Sequence, residues 1–197
     1  MYRHYIKRVL DFMFALYLIL PITLIVAVFA LLVKLEDGGP AFYVEKRVGK
    51  YGRTFKTYIL RSTKVDADDP QLTKIGMLIR KSGIDELPQI FNVLLGNMSF
   101  IGPRPELLDH FKHYEVEELR KLQVLPGING YNQVYCRNSG EWKELLRNDV
   151  NYVENISFLL DFKILFRAIE EDVFPRGIYG ASESGSVVGE GDKEQYI

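Results

Sequence analysis

Asp85 and Glu86 are adjacent carboxylates at the head of the segment IDELPQIFNVLLG. Carboxylates in a first helical turn answer unpaired N–H groups and the positive end of the helix dipole, so capping is one reading of the pair. The same geometry attracts phosphate and keeps a neighbouring carboxylate ionised. An ionised carboxylate can coordinate Mg²⁺ or attack phosphorus directly, so chemistry is the other reading. A diphosphate ligand would also need cations. Arg80 lies near the end of the preceding helical pattern, and Arg104 is held between Pro103 and Pro105, which restrict where its side chain can point. Guanidinium groups bind phosphate oxygens in bidentate pairs.

Other chemistries are poorly supplied. His4, His110 and His113 offer only an i,i+3 pair without a third ligand at zinc-site spacing. Asp66, Asp68 and Asp69 lack the glycine and distal glutamate of a calcium loop and read as a solvated loop. The chain contains no G-x-S-x-G elbow, no G-x-x-x-x-G-K-[ST] loop and no G-x-G-x-x-G fingerprint. The lone cysteine, Cys136, excludes an internal disulfide.

The elements that must position these residues follow from pattern. The 197 residues, 47% hydrophobic, suffice for one compact domain. Residues 41–61 read as a β-hairpin, with aromatic and β-branched runs on either side of Gly49-Lys50-Tyr51-Gly52. Leu72, Ile75, Leu78 and Ile79 predict a helix that stops at Gly83, and Leu87, Ile90, Phe91 and Leu94 a second from Asp85 to Gly96. Further helices are expected near 106–123, 140–153 and 156–169, with a turn-rich extended segment over 126–138. The helix over 156–169 carries large apolar residues around few charges, which suits a membrane surface as well as a buried core. The Ser/Gly/Glu-rich tail is expected to be disordered.

Charge and hydropathy point to a membrane. Residues 1–64 carry 11 Lys/Arg against 4 Asp/Glu, and the remainder 14 against 22. A basic block beside an apolar run suits anionic headgroups or a phosphorylated substrate better than nucleic acid, which calls for a domain-wide basic excess. From Phe12 to Val33 run 22 residues without a charge. A straight helix of that length reaches about 33 Å, enough to cross a hydrocarbon core. Pro21 near its middle predicts a kink or break, and basic residues on both flanks leave the positive-inside rule without a preferred side. A spanning helix and one that bends at Leu20-Pro21 and returns to the same face both fit; a cleaved signal peptide fits less well.

These pieces together resemble the bacterial sugar transferase family, specifically its small monotopic phosphoglycosyl transferases, over about residues 1–180. The resemblance rests on YIKRVLDF before the proline-broken run, GGPAFYVEKRVG, FKTY with Arg61, IRKSGIDELPQIFNVLLGNMSFIGPRPE, LPGINGYNQVYCRN and DVNYVENISFLLDFKILF. It implies an α+β fold, mostly helical with a short β-hairpin. The parts would be a re-entrant anchor over 1–35 broken at Pro21, a catalytic domain over 36–180 with amphipathic interfacial helices, and a tail over 181–197. It implies placement on the cytoplasmic face of the bacterial inner membrane, monotopic, with membrane lipid as a partner, no nucleic acid, and room for a homo-oligomer. The implied reaction moves a phosphosugar from a UDP-sugar to a polyprenyl phosphate such as undecaprenyl phosphate and releases UMP. Asp85 would be the nucleophile, with Glu86 completing a dyad and both carboxylates holding Mg²⁺. Arg80, Arg104, Arg61, Gln133, Arg137 and Asp149 would meet phosphate, nucleotide or sugar. Three departures stand out: Leu20 replaces the usual serine before the proline, Ile59 replaces a basic residue, and residues 130–137 differ from the usual G-W-A-Q-V-x-G-R. A scaffold of the same fold without turnover is the competing reading.

Overall fold

The computed structural model describes residues 2–64, 71–112, 114–136, 141–173 and 195–196. After a π-helical turn over Tyr2–Ile6, helix α1 runs from Lys7–Asp37 and stops where Gly38 turns left-handed and its N–H bonds the Lys34 carbonyl at 3.0 Å. The expected break at Leu20-Pro21 is absent: α1 stays helical through Pro21. Proline deletes one i→i−4 hydrogen bond there. Packing on both sides of it holds the helix together, with Leu18, Ile19 and Ile22 against one core cluster and Val26 and Val33 in the next. Lys7, Asp11, Ala15, Val26 and Val33 form a buried stripe, while Tyr17 and Leu20 on the opposite face are 78% and 80% exposed.

Both ends of α1 are tied to the same body. At the start, Lys7 Nζ donates to Asp161 at 2.6 Å, and the Tyr2 and Tyr152 hydroxyls donate to the same carboxylate. One turn on, Asp11 accepts from the Ser99 hydroxyl and the Phe100 N–H. At the far end, fully buried Arg61 donates to both Asp37 oxygens at 2.5 and 2.6 Å, and to the carbonyls of Pro40 and Thr63. Glu36 accepts from the Lys74 and Ile75 N–H groups that open α2.

The body matches its pattern in several places. Strands β1 (Phe42–Val48) and β2 (Thr54–Leu60) form the expected antiparallel hairpin, Phe42 opposite Leu60. Helix α2 (Lys74–Lys81) is capped by Thr73, whose hydroxyl accepts from the Gly76 N–H at 2.8 Å. A 3₁₀ turn over Ile84–Gln89 then leads into the short α3 (Ile90–Leu95). Strand β3 (Ser99–Ile101) pairs in parallel with β5 (Gly127–Asn129), and their close approach needs glycine: a Cβ on Gly127 would sit 2.1 Å from the Gly102 nitrogen. Helices α5 (Trp142–Glu154) and α6 (Phe158–Val173) complete the main body.

Two helical expectations need correction. The helix expected from Asp85 begins as 3₁₀, because Pro88 lacks an N–H and Gly83 supplies a left-handed start at φ 66°. The helix expected over 106–123 is three pieces: β4 (Glu106–Leu107) pairs with β1, α4 (Leu108–Phe111) makes one turn, and a 3₁₀ segment spans Glu118–Gln123. Pairing of Glu106 opposite Val48 draws that end into the sheet. Most of the tail lies outside the described residues, but Gln195–Tyr196 (β6) pairs with Tyr43 and Val44.

Asp37→Asn would leave the buried Arg61 guanidinium without its counter-charge. The expected cost is roughly 3 kcal/mol, or about 6–12 °C in Tm for a chain of this size, measured by thermal unfolding in detergent. Asp109→Asn, in an exposed pair with Lys112, should move Tm by less than about 1 °C.

Candidate active site

The site is built where α2 gives way to the 3₁₀ turn. Ile84 and Leu87 of that turn pack into the cluster formed by Val26 and Val33 of α1, Leu60 of β2 and Ile79 of α2. Pro88 and Gln89 are buried, and the Asn92 amide donates to the Lys56 carbonyl at 2.7 Å, fastening α3 to β2. Asp85 and Glu86 therefore project from a turn whose apolar members are clamped on three sides.

Asp85 is half-buried. Desolvation pushes its carboxyl above the ordinary aspartate range, and the Glu86 charge adds to that; backbone N–H groups and the Arg80 cation pull the other way. Glu86 accepts from Arg104 Nη2 at 2.8 Å, with both side chains partly open to solvent. The structure thus gathers Asp85, Glu86, Arg80 and Arg104 around one spot.

Behind Arg104 lies a charged network that sequence reasoning passed over. Lys121, 3% exposed, donates to Glu106 at 3.0 Å and Asp149 at 2.8 Å, and lies 5.8 Å from the centre of the Tyr114 ring. Burial works against the Lys121 charge, but Asp149 and Glu106 outweigh it and hold the ammonium above its ordinary range. Burial likewise raises the Asp149 carboxyl, against the pull of Lys121 and of the Asn132 amide, which donates to it at 2.8 Å. The sequence signal was faint, since Lys121 sits in the polar run EELRKLQ and reads as surface.

The remaining expected residues lie elsewhere or outside the description. Arg61 spends its donors on Asp37, Pro40 and Thr63, which makes it a clamp for the end of α1 rather than an open phosphate ligand. Asp149 is enclosed by Lys121 and Asn132. Gln133 donates to the Ile128 carbonyl at 3.2 Å, and its buried Oε1 has no hydrogen-bond partner. Arg137 lies outside the described residues. Among the described residues no group of three or more His, Cys, Asp or Glu side chains converges on one point. Mg²⁺ commonly takes one or two carboxylates and completes its shell with water and substrate phosphate, so Asp85 and Glu86 fit that ion as a donor set.

The family model described as bacterial sugar transferase matches residues 2–174. The chain is 38% identical over 181 residues to the uncharacterized sugar transferase EpsL of Bacillus subtilis (strain 168), covering 88% of this chain and 90% of that one. It is 52% identical over 111 residues to the putative undecaprenyl-phosphate N-acetylgalactosaminyl 1-phosphate transferase of the same organism, 51% of this chain and 62% of that one. It is 36% identical over 181 residues to the UDP-N-acetylgalactosamine-undecaprenyl-phosphate N-acetylgalactosaminephosphotransferase of Aeromonas hydrophila, 84% of this chain but 43% of that longer one.

A carboxyl whose folded-state pKa is raised contributes most to stability below its unfolded value and loses that contribution as pH rises through the folded one. The raised Asp85 carboxyl therefore works against the fold once pH exceeds the ordinary aspartate range. Asp85→Asn should raise Tm at pH 7 in EDTA, and the gain should shrink as pH falls toward the ordinary aspartate range. A lower Tm for the variant throughout would contradict the strained carboxylate.

Proposed function

The chain belongs to the bacterial sugar transferase family, and on that premise we propose that it transfers a phosphosugar from a UDP-sugar to a polyprenyl phosphate such as undecaprenyl phosphate, releasing UMP. The observation that carries the reading is Asp85, a half-buried carboxylate on a clamped turn, flanked by Arg80 and by the Glu86–Arg104 pair. Two of the relatives are named for N-acetylgalactosamine phosphotransfer to undecaprenyl phosphate, and one of those names includes a UDP donor, which supports the substrate classes.

In the first half-reaction a carboxylate oxygen of Asp85 attacks the β-phosphorus of the donor. An Asp85 O–P bond forms, the bond from that phosphorus to the bridging oxygen breaks, and UMP leaves with the electron pair. Desolvation of Asp85 sharpens its nucleophilicity, while Arg80 favours the ionised form. Arg104 can stabilise charge on the equatorial phosphate oxygens, and Glu86 holds it in place until substrate arrives. In the second half-reaction a phosphate oxygen of the lipid attacks the same phosphorus, the O–P bond to Asp85 breaks, and the carboxylate is restored. Asp85 and Glu86 would hold Mg²⁺, which would neutralise phosphate charge during both displacements.

The acceptor's long chain must stay in lipid while its phosphate meets a water-soluble donor. The outward apolar face of α1 and the exposed Phe158, Leu159, Phe162 and Phe166 of α6 suit a seat in one leaflet. Because Lys7 and Asp37 bond the same body, a crossing helix would drag one of those ion pairs through hydrocarbon. A monotopic placement on the cytoplasmic face avoids that cost.

UMP release from UDP-sugars with Mg²⁺ and undecaprenyl phosphate tests this. Asp85→Asn should lower release by at least ~10³-fold and Arg104→Gln by about 10–100-fold, while EDTA should abolish it. Donor alone should give a burst of at most one equivalent of UMP. Unchanged release from Asp85→Asn would overturn the assignment. Donor binding without release across a panel of UDP-sugars would favour the scaffold reading.

A further inference from the structure

A cavity lies away from Asp85, under the first turns of α1. It has a volume of about 270 Å³ and is lined by Arg3, Lys7, Arg8, Asp11, Lys50 and Ser99 among others; Asp85, Glu86, Arg80 and Arg104 do not line it. We propose that this cavity binds the phosphate of an anionic membrane-lipid headgroup, as a site separate from the transfer centre and independent of its chemistry.

Charge is the first support. Lys7 is balanced by Asp161, and Asp11 is occupied by Ser99 and the Phe100 N–H. The other cations meet neutral groups. Arg3 donates to the Val153 carbonyl and the Gln123 amide oxygen, and Arg8 donates to the Val93 and Leu94 carbonyls. Lys50 lies 5.0 Å from the centre of the Tyr51 ring. Three positive charges thus border one cavity, against the single negative charge of Asp11 on the same lining.

An unanswered donor is the second support. Arg3 Nε is buried and has no hydrogen-bond partner. A buried donor on a cation is costly to leave unpaired, and an oxyanion at the mouth of the cavity would answer it. Gly96 also lets the Arg8 guanidinium lie close against the wall: a Cβ there would come 3.1 Å from Arg8 Nη2.

Position selects a lipid over free phosphate. The next turns of α1 expose Val9, Leu10, Phe12 and Met13, and α6 exposes Phe158, Leu159 and Phe162. The Tyr2 and Phe158 rings meet edge-on with centroids 6.0 Å apart, so both apolar faces begin beside the cavity. A phosphate inside with acyl chains along those faces matches an amphiphile at the boundary between headgroups and hydrocarbon.

The test uses the full chain in mild non-ionic detergent, titrated with phosphatidylglycerol and read by native mass spectrometry. A one-to-one adduct is expected, unaffected by inorganic phosphate at equal concentration. The double variant Arg3→Gln/Lys50→Gln should weaken it by about thirty-fold and Lys50→Gln alone by about five-fold. Arg3→Lys/Lys50→Arg should retain it within about three-fold, since charge is kept. Arg120→Gln/Lys143→Gln, which removes the same charge elsewhere, should leave it unchanged. Wild-type binding by both Gln variants overturns the site. So does equal weakening by Arg120→Gln/Lys143→Gln, which would reduce it to general surface charge. Displacement by inorganic phosphate overturns the lipid assignment.

Discussion

The constraint on which the rest depends is that an apolar helix more than 30 Å long is fastened at both ends, by buried charge, to one folded body. Lys7 with Asp161 holds one end and Asp37 with Arg61 holds the other. Between them the inward stripe of α1 supplies part of two core clusters. Here Val26 and Val33 belong to the same cluster as Ile84 and Leu87, the apolar members of the turn that carries Asp85. The height of that carboxylate relative to the apolar outer face of α1 is therefore set by side-chain packing.

That packing explains how one carboxylate can be both stressed and held still. Asp85 is stripped of part of its water by the elements that clamp its turn, and a second carboxylate stands next to it. Beside it runs the alternating series Glu86, Arg104, Glu106, Lys121 and Asp149, in which the two direct ties to Lys121 are closed from solvent. Because Lys121 is buried, removing either of its carboxylates would leave it partly uncompensated, which makes the series sensitive to the loss of a single member.

Periodicity made much of this legible. The uncharged run became α1, the hairpin residues paired in simple register, and α2, α5 and α6 fell within a few residues of their patterns. Asp85, Glu86, Arg80 and Arg104 could be named because their types and spacing match phosphate chemistry. What escaped was set by tertiary packing. Pro21 reads as a break locally, but neighbours on both sides of it keep α1 helical. Glu106 reads as the start of a helix, yet a strand partner takes it. Arg61 looked like a phosphate ligand because nothing in the linear sequence reveals that Asp37 will meet it. Lys121 looked like surface because its two carboxylates lie 15 and 28 positions away.

The tie between Tyr2, Lys7 and Asp161 also orders events in time. These partners stand 159 and 154 positions apart, so Tyr2 and Lys7 wait for the last described helix to be made before their polar groups are answered. Until then the inward stripe of α1 lacks the later elements that cover it. Their contact closes a loop that encloses almost the entire described body, a closure that weighs on the rate of folding more than on the stability of the result.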